Sequence, residues 1–513
     1  MNKYPLGLQT FEKIINKNLL YIDKTKDIYN LTELGGYYFY ARPRRFGKSL
    51  MLSTIKSLYQ GKKELFKGLW IENKWDWSKT NPVIHIGFSG IGHKKLGLEK
   101  AINQTLNKLA KDFNIQFETD DYITKFKELI EGIAQQKGKV VLLIDEYDKP
   151  IIDYLGHKIE IAEENRSLLK SFYSVIKDCD PHIEFMIITG ISKFSKVSIF
   201  SELNNLTDIT FHRGYLGLTG ISQQELEENF QEEIKELADE NEITTTELKE
   251  EIRRWYNGYS WNGKQFLYNP YSLLSYFDFG EFKNFWFETG TPTFLLELMK
   301  NQKMVKLENL EVGAVTFSSY SIKHLQLIPL LFQTGYLTIK ERKANDLYVL
   351  NYPNSEVRNS LLQNIIGFLA HTDYSYSTPT VVHLKEAFED KKLEHLIRLI
   401  KSIFKNIPNQ IFKAKGEFYY HSLIYLVFFY LGEYVESEIN TNDGRLDAVV
   451  KTTNYIYVLE FKLDESGQVA LDQIKNKGYA EKYYADSREK ILLGINFNTE
   501  LKTIDEWKSD TLK

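Results

Sequence analysis

Cysteine is almost absent from this chain of 513 residues, and Cys179 stands alone. That excludes a disulfide framework and any zinc or iron–sulfur site built on cysteines, and it fits a reducing compartment. Long apolar runs are missing too. The longest, Leu423–Leu431, spans nine residues, well short of the ~20 that a membrane helix needs. No apolar stretch follows Met1, so no signal peptide is expected, and the chain reads as a cytoplasmic protein with no membrane partner. An excess of positive charge is lacking as well. The 65 Lys and Arg face 69 Asp and Glu, which argues against a surface coated for nucleic acid.

What is present is ordinary globular material. Apolar residues make up 43% and charged residues 26%, so wholesale disorder is excluded, and the length alone suggests roughly three domains. Charge is unevenly spread. Residues 1–60 hold ten Lys and Arg against four Asp and Glu, and residues 225–251 hold twelve acids against two bases. The acidic stretch has helical spacing and reads as a solvated face. The basic one crowds around a single loop.

From 37 to 218, short β-branched or aromatic runs alternate with longer helical stretches. Tyr37–Ala41, Val83–Phe88, Val140–Asp145 and Glu184–Thr189 are the strand candidates, with helices starting near Gly47, Leu96, Ile123 and Glu164. Apolar runs separated by helices predict a parallel α/β sheet. Residues 222–300 read as helical, acidic and then aromatic. Leu327–Thr334, Tyr336–Lys340 and Leu347–Tyr352 give the helix–strand–strand order of a winged-helix-like module. The last stretch reads helix, three strands, helix, strand, with a hairpin turn at Asn442-Asp443-Gly444.

Two constellations carry chemistry. The first is Arg42-Pro-Arg-Arg-Phe-Gly47-Lys48-Ser49, a loop between a strand and a helix. Such a loop offers unpaired N–H groups and a helix dipole to phosphate, Lys48 could reach the β/γ-phosphates, and Ser49 could bind Mg²⁺. Arg42 stands where the first glycine of G-x-x-x-x-G-K-[ST] belongs, and Pro43 pushes it towards an extended conformation. Its complement is the buried run ending in Asp145-Glu146, where Asp145 would hold Mg²⁺ and Glu146 would polarise water. An Asp-Glu pair after a strand also reads as a helix cap. Thr189, ending the fourth strand, either senses the γ-phosphate or marks a turn.

The second constellation is Asp447, Glu460 and Lys462. Glu460 and Lys462 lie two apart on one strand and share a face. Two acids and a lysine inside a small sheet call for a cation or for mutual pairing. The functional reading is a Mg²⁺ site with Asp447 and Glu460 as ligands and Lys462 stabilising the phosphate; the alternative is a solvent-facing ion pair. Glu417 on an amphipathic helix could add an acid, with His421 one turn later. Gln473 and Lys477 share a face of the following helix.

Arg42–Ser49, Ile144-Asp-Glu-Tyr-Asp-Lys149 and Thr189-Gly-Ile-Ser-Lys-Phe-Ser195 together resemble the bacterial AAA-ATPase-like family, whose members often carry a C-terminal PD-(D/E)xK nuclease-like domain. Tyr21-Ile-Asp-Lys-Thr25 resembles that family's N-terminal motif, near the nucleotide base. The resemblance implies that Arg42 in place of glycine is a family trait. It implies a P-loop ATPase domain over 1–221 and a small mixed α/β nuclease-like domain over 381–513, with the helical and winged-helix-like middle, read from its element order, over 222–380 between them. It also implies ATP and Mg²⁺ as cofactors, with Arg42, Arg44, Arg45, Gly47, Lys48, Ser49, Asp145 and Thr189 at the nucleotide. Glu417, Asp447, Glu460, Lys462 and Gln473 match the nuclease positions, where Mn²⁺ could replace Mg²⁺. The expected function is an ATPase coupled to a metal-dependent nuclease acting on nucleic acid, DNA favoured. The rival is a nucleotide-controlled switch whose nuclease-like domain binds without cutting. Residues 401–513 hold 15 bases against 17 acids, so any grip on nucleic acid must be a local patch. A homo-oligomer is compatible with this reading, and Arg213 is a candidate to complete a neighbour's site, or a plain surface arginine.

Overall fold

The computed structural model describes residues 3–512 apart from 34, 194–198, 201–202, 288–294, 296–297, 300–306, 318–324, 371–382, 385, 406–434, 442–443 and 502. For 287, 365–370, 403–405, 435–441 and 444–447 it describes the backbone alone. The chain divides into two compact units, 1–358 and 359–513. Among the described residues no helix is long and apolar enough to cross a membrane.

The first unit is built on five strands: β1 (Gly36–Ala41), β2 (Val83–Gly87), β3 (Val140–Asp145), β4 (Ile183–Gly190) and β5 (Leu206–Asp208). They lie in the order β2-β3-β4-β1-β5, and every pairing is parallel. Apolar side chains leave both faces, as a parallel sheet covered on two sides requires. Phe39, Leu142, Ile144 and Ile188 pack under the helices Leu98–Phe113, Tyr122–Lys137 and Ile159–Ser174. Tyr40, Val141, Leu143 and Ile187 pack against the helix Lys48–Tyr59. The register sets Tyr40 beside Thr189 and Ile144 beside Ile188. The ends of β1, β3 and β4 therefore open on one edge, where ligands of such sheets bind.

The strand and helix candidates of residues 37–218 correspond to these elements within a few residues. After a short pairing of β6 (Ile221–Ser222) with β7 (Leu267–Tyr268), four helices bury Phe230, Tyr256 and Tyr276. The helices are Gln223–Asn229, Gln231–Glu240, Thr245–Tyr256 and Pro270–Phe279. The helix–strand–strand–helix order of the winged-helix-like stretch is present as Leu327–Thr334, β9 (Thr338–Arg342), β10 (Leu347–Asn351) and the helix Ser355–Ala370. β8 (Leu310–Gly313), not expected from the sequence, pairs with β10.

The second unit holds a mixed sheet in the order β11-β12-β13-β14-β15. Its strands are Val435–Thr441, Gly444–Lys451, Tyr455–Leu463, Glu489–Asn498 and Thr503–Leu512. Only β13 and β14 run parallel, joined by a crossover through the helix Gly467–Asn476. Side chains at 494 and 467 are excluded by contact. A Cβ on Gly494 would sit 2.3 Å from the Gly467 carbonyl oxygen, so two glycines let helix and sheet approach closely.

Candidate functional site

The loop 42–47 leaves β1 and enters the helix Lys48–Tyr59. Its left-handed residues are Arg45 (φ 62°) and Gly47 (φ 91°), not Arg42. Lys48 is buried, and its ammonium donates to the carbonyls of Arg42 (2.8 Å) and Pro43 (2.9 Å). Among the described residues no carboxylate lies within ion-pair distance of it. Burial holds this lysine below its ordinary pKa, while Asp145 and Glu146 pull the other way. A buried cation with only neutral partners is costly, and an anion at the loop would offset that cost.

Ser49, Asp145 and Thr189 come together at the sheet edge. The Ser49 hydroxyl donates to Asp145 Oδ2 and the Thr189 hydroxyl to Oδ1, each at 2.6 Å. One buried carboxylate thus ties β3, β4 and the loop helix together. Glu146 follows in a left-handed conformation (φ 52°), a position a non-glycine residue holds only under local constraint. Burial and then the Asp145 charge push its carboxyl above the usual range, the direction wanted in a base that must hold a water-derived proton.

The three arginines of the loop differ in role. Arg42 is 1% exposed. Its guanidinium donates to the carbonyls of Ala41 and Thr210, each at 2.9 Å, and lies over the rings of Trp261 (3.8 Å) and Tyr40 (4.4 Å). Arg42 was expected among the nucleotide ligands; its described contacts, to carbonyls and rings, brace it under the loop, and its Nε has no hydrogen-bond partner among the described residues. Arg45 donates to the Phe285 carbonyl (2.7 Å) and stacks on Tyr271 (3.8 Å). The half-buried Arg44 guanidinium has no partner among the described residues, and its charge depresses the Lys48 pKa further. Arg213 is exposed.

Three features here were not read from the sequence. Asp148, fully buried, accepts from the N–H groups of Ile191 (3.0 Å) and Ser192 (2.7 Å), and from the Ser192 hydroxyl (2.7 Å), fixing the turn after Thr189. Glu356, fully buried, accepts from the Trp286 N–H at 2.7 Å; the Trp286 indole reaches the Arg44 carbonyl at 3.4 Å. Burial raises the Glu356 carboxyl to about 8, with the Trp286 hydrogen bond and the Arg45 charge opposing. Finally, an apolar cleft open to solvent lies beside Gly47. Leu20, Ile22, Leu50, Ile221 and Leu274 are among its walls.

In the second unit, Glu460 is 3% exposed within β13. Its Oε1 accepts from Gln473 Nε2 and lies 3.6 Å from Lys462 Nζ. Gln473 reaches down because its helix sits hard against Gly494, the residue paired with Glu460 on β14. Asp447 lies on β12. The β12–β13 register pairs Ala448, the residue after Asp447, with Leu459, the residue before Glu460. Glu417 and His421 lie outside the described residues, and Lys477 is exposed. Among the described residues no three His, Cys, Asp or Glu side chains form a metal cage.

Comparisons with known proteins agree with this division. Residues 5–200 match the family model described as "Predicted AAA-ATPase", and residues 415–507 match that of the PD-(D/E)XK nuclease superfamily. A protein of Azotobacter chroococcum mcd 1, "Uncharacterized protein in vnfD 5'region", is 38% identical over 521 residues, covering 98% of both chains. No solved structure matches. A buried lysine at a strand–loop–helix junction, a serine–aspartate–threonine tie across the sheet edge and an end-to-end relative lead to one conclusion: the chain belongs to the AAA-ATPase-like family that carries a C-terminal PD-(D/E)XK nuclease superfamily domain.

Proposed function

We propose that the chain binds and hydrolyses ATP with Mg²⁺ and couples this to a metal-dependent nuclease that cuts phosphodiester bonds, in DNA before RNA. What carries the reading is the buried Lys48 ammonium, held among the described residues by carbonyls at the head of a helix beside the Ser49–Asp145 pair. Backbone N–H groups of 47–49, Lys48 and Arg44 would take the phosphates. Ser49 and Asp145 would hold Mg²⁺, which supplies neutralisation of phosphate charge when bound. Glu146 orients and deprotonates water, and Thr189 keeps Asp145 aimed. The cleft beside Gly47 would receive the base, with Tyr21 and Ile22 on one wall. In the nuclease-like domain, Asp447 and Glu460 would hold the metal, Glu417 would add an acid, and Lys462 and Gln473 would orient the attacked phosphate.

The test is a cleavage assay on the full chain. Linear, circular and single-stranded DNA, and RNA, are incubated with Mg²⁺ or Mn²⁺, with and without ATP, beside Glu460→Ala. The expected result is metal-dependent cleavage, altered by ATP and lost in the variant. Cleavage at the wild-type rate in Glu460→Ala removes the assigned site. No cleavage of any substrate, with ATP still bound, replaces the nuclease by a nucleotide-controlled switch.

A further inference from the structure

The motif Tyr21-Ile-Asp-Lys-Thr25 is explained residue by residue except for the purpose of its lysine. The Tyr21 hydroxyl lies 3.4 Å from that of Thr54, on the helix Lys48–Tyr59. Asp23 accepts from the N–H groups of Thr25 (2.8 Å) and Trp70 (2.7 Å), and the Thr25 hydroxyl accepts from the Ile71 N–H (3.2 Å). These bonds fix the segment to the body of the first unit. Two residues of the motif reach the helical middle: Ile22 packs on its apolar core, and Lys24 makes the polar contact. Its ammonium lies 2.5 Å from Glu225 Oε1 and 2.7 Å from Oε2, 201 residues on, and the two side chains are only 13% and 21% exposed.

Glu225 is held from the other side. It is the third residue of the helix Gln223–Asn229 and completes a capping box with Ser222, accepting from the Ser222 N–H at 2.8 Å. Ser222 directly follows Thr219, Gly220 and Ile221, which line the cleft beside Gly47, as do Leu20, Ile22 and Lys24 from the N-terminal segment. The ion pair therefore links two segments far apart in sequence that both line a mostly apolar cleft. A flat apolar ring gains burial only if the walls of such a cleft keep their separation.

Resting on the reading of this cleft as the base site, we infer that Lys24 and Glu225 are positioning residues for the nucleotide: their ion pair clasps the cleft to the width of a base without touching the phosphates. The clasp acts on the base alone, so it distinguishes a nucleoside triphosphate from the bare phosphate chain.

The experiment compares ATP and inorganic tripolyphosphate, each with Mg²⁺, by calorimetry on the full chain. The proteins are wild type, Lys24→Met, Glu225→Gln and the double variant. Glutamine still completes a capping box, so the helix start is kept. Each single variant is expected to weaken ATP binding about tenfold, and the double variant by no more than either single, since two residues acting through one contact are not additive. Tripolyphosphate affinity stays within about twofold throughout, the scale of a contact not involved. ATP affinity unchanged in the singles, losses that multiply in the double, or equal losses of both ligands overturn the clasp. Wild type that binds tripolyphosphate as tightly as ATP overturns instead the assignment of the cleft to the base, and the inference falls with it.

Discussion

Replacing Glu356 by glutamine makes the first unit more stable at alkaline pH and leaves it nearly unchanged at acid pH. The carboxyl is fully buried, and its pKa rises from 4.5 to about 8 in the fold. Between those values the native state keeps a proton that the unfolded chain has released. Stability from this group is therefore complete below about 4.5, falls through the window, and is lost above about 8. The slope is about 1.4 kcal/mol per pH unit, so the whole window amounts to roughly 5 kcal/mol, an order-of-magnitude ceiling. Glutamine matches the shape of the protonated acid and can still accept from the Trp286 N–H, yet it has nothing to ionise. Urea unfolding followed by tryptophan fluorescence at pH 5, 6.5 and 8.5 measures the difference, with Trp286 as a reporter beside the substituted group. The variant's advantage should grow from about 1 kcal/mol at pH 5 to several kcal/mol at pH 8.5. An advantage independent of pH, or one that shrinks as pH rises, refutes a protonated Glu356 behind the phosphate loop.

Lys48→Ala removes the charged donor aimed along the loop and should raise the ATP dissociation constant about tenfold to hundredfold by calorimetry, the range of hydrogen bonds to charged groups; unchanged affinity dismisses the assigned loop. Gly494→Ala places a methyl 2.3 Å from the Gly467 carbonyl and 2.4 Å from the Leu471 nitrogen, which forces the helix off the sheet at about 1–3 kcal/mol. Cleavage should then fall with Gln473 withdrawn from Glu460 while calorimetry finds ATP binding intact, and a variant that cuts normally contradicts the dependence on close packing.

The sheet of the first unit was legible because burial wrote it plainly. All six residues of Val140–Asp145 are buried, and a strand enclosed on both faces shows as an unbroken apolar run. The opposite case is β15. Thr503–Leu512 carries Asp505, Glu506, Lys508 and Asp510 on a mostly exposed edge, so no alternation betrayed it. β8 was missed for a similar reason, with four residues and none fully buried. At the candidate sites, Ser49, Asp145 and Thr189 were legible because each ends or begins an element at the same sheet edge. Glu225 and Glu356 were not. An acid in the first turn of a helix reads as a solvated cap, and the partners of these two come from 201 and 70 residues away. Long-range partners of a polar residue leave no trace in local spacing.

Arg42 puts the relation between motif and structure to its sharpest test. Arg42→Gly would restore the first glycine of the phosphate-loop pattern, so a pattern-based expectation is tighter ATP binding. The structure gives the opposite sign. Residue 42 has no left-handed backbone to relieve, since the loop's positive φ angles fall at Arg45 and Gly47. Glycine would instead delete a guanidinium bonded to the Ala41 and Thr210 carbonyls and enclosed by Trp261 and Tyr40. Two charge-assisted hydrogen bonds at about 1.5–3 kcal/mol each, plus a cavity, set the gross loss, and relief of a buried charge returns part of it. A net destabilisation of about 1–3 kcal/mol follows, the cost of leaving buried carbonyl acceptors without their donor. The Arg42 carbonyl that receives Lys48 would also lose its anchor, so ATP affinity should fall together with the melting temperature. Tighter ATP binding at an unchanged melting temperature would show that the arginine merely fills a glycine position, and that the loop needs no strut.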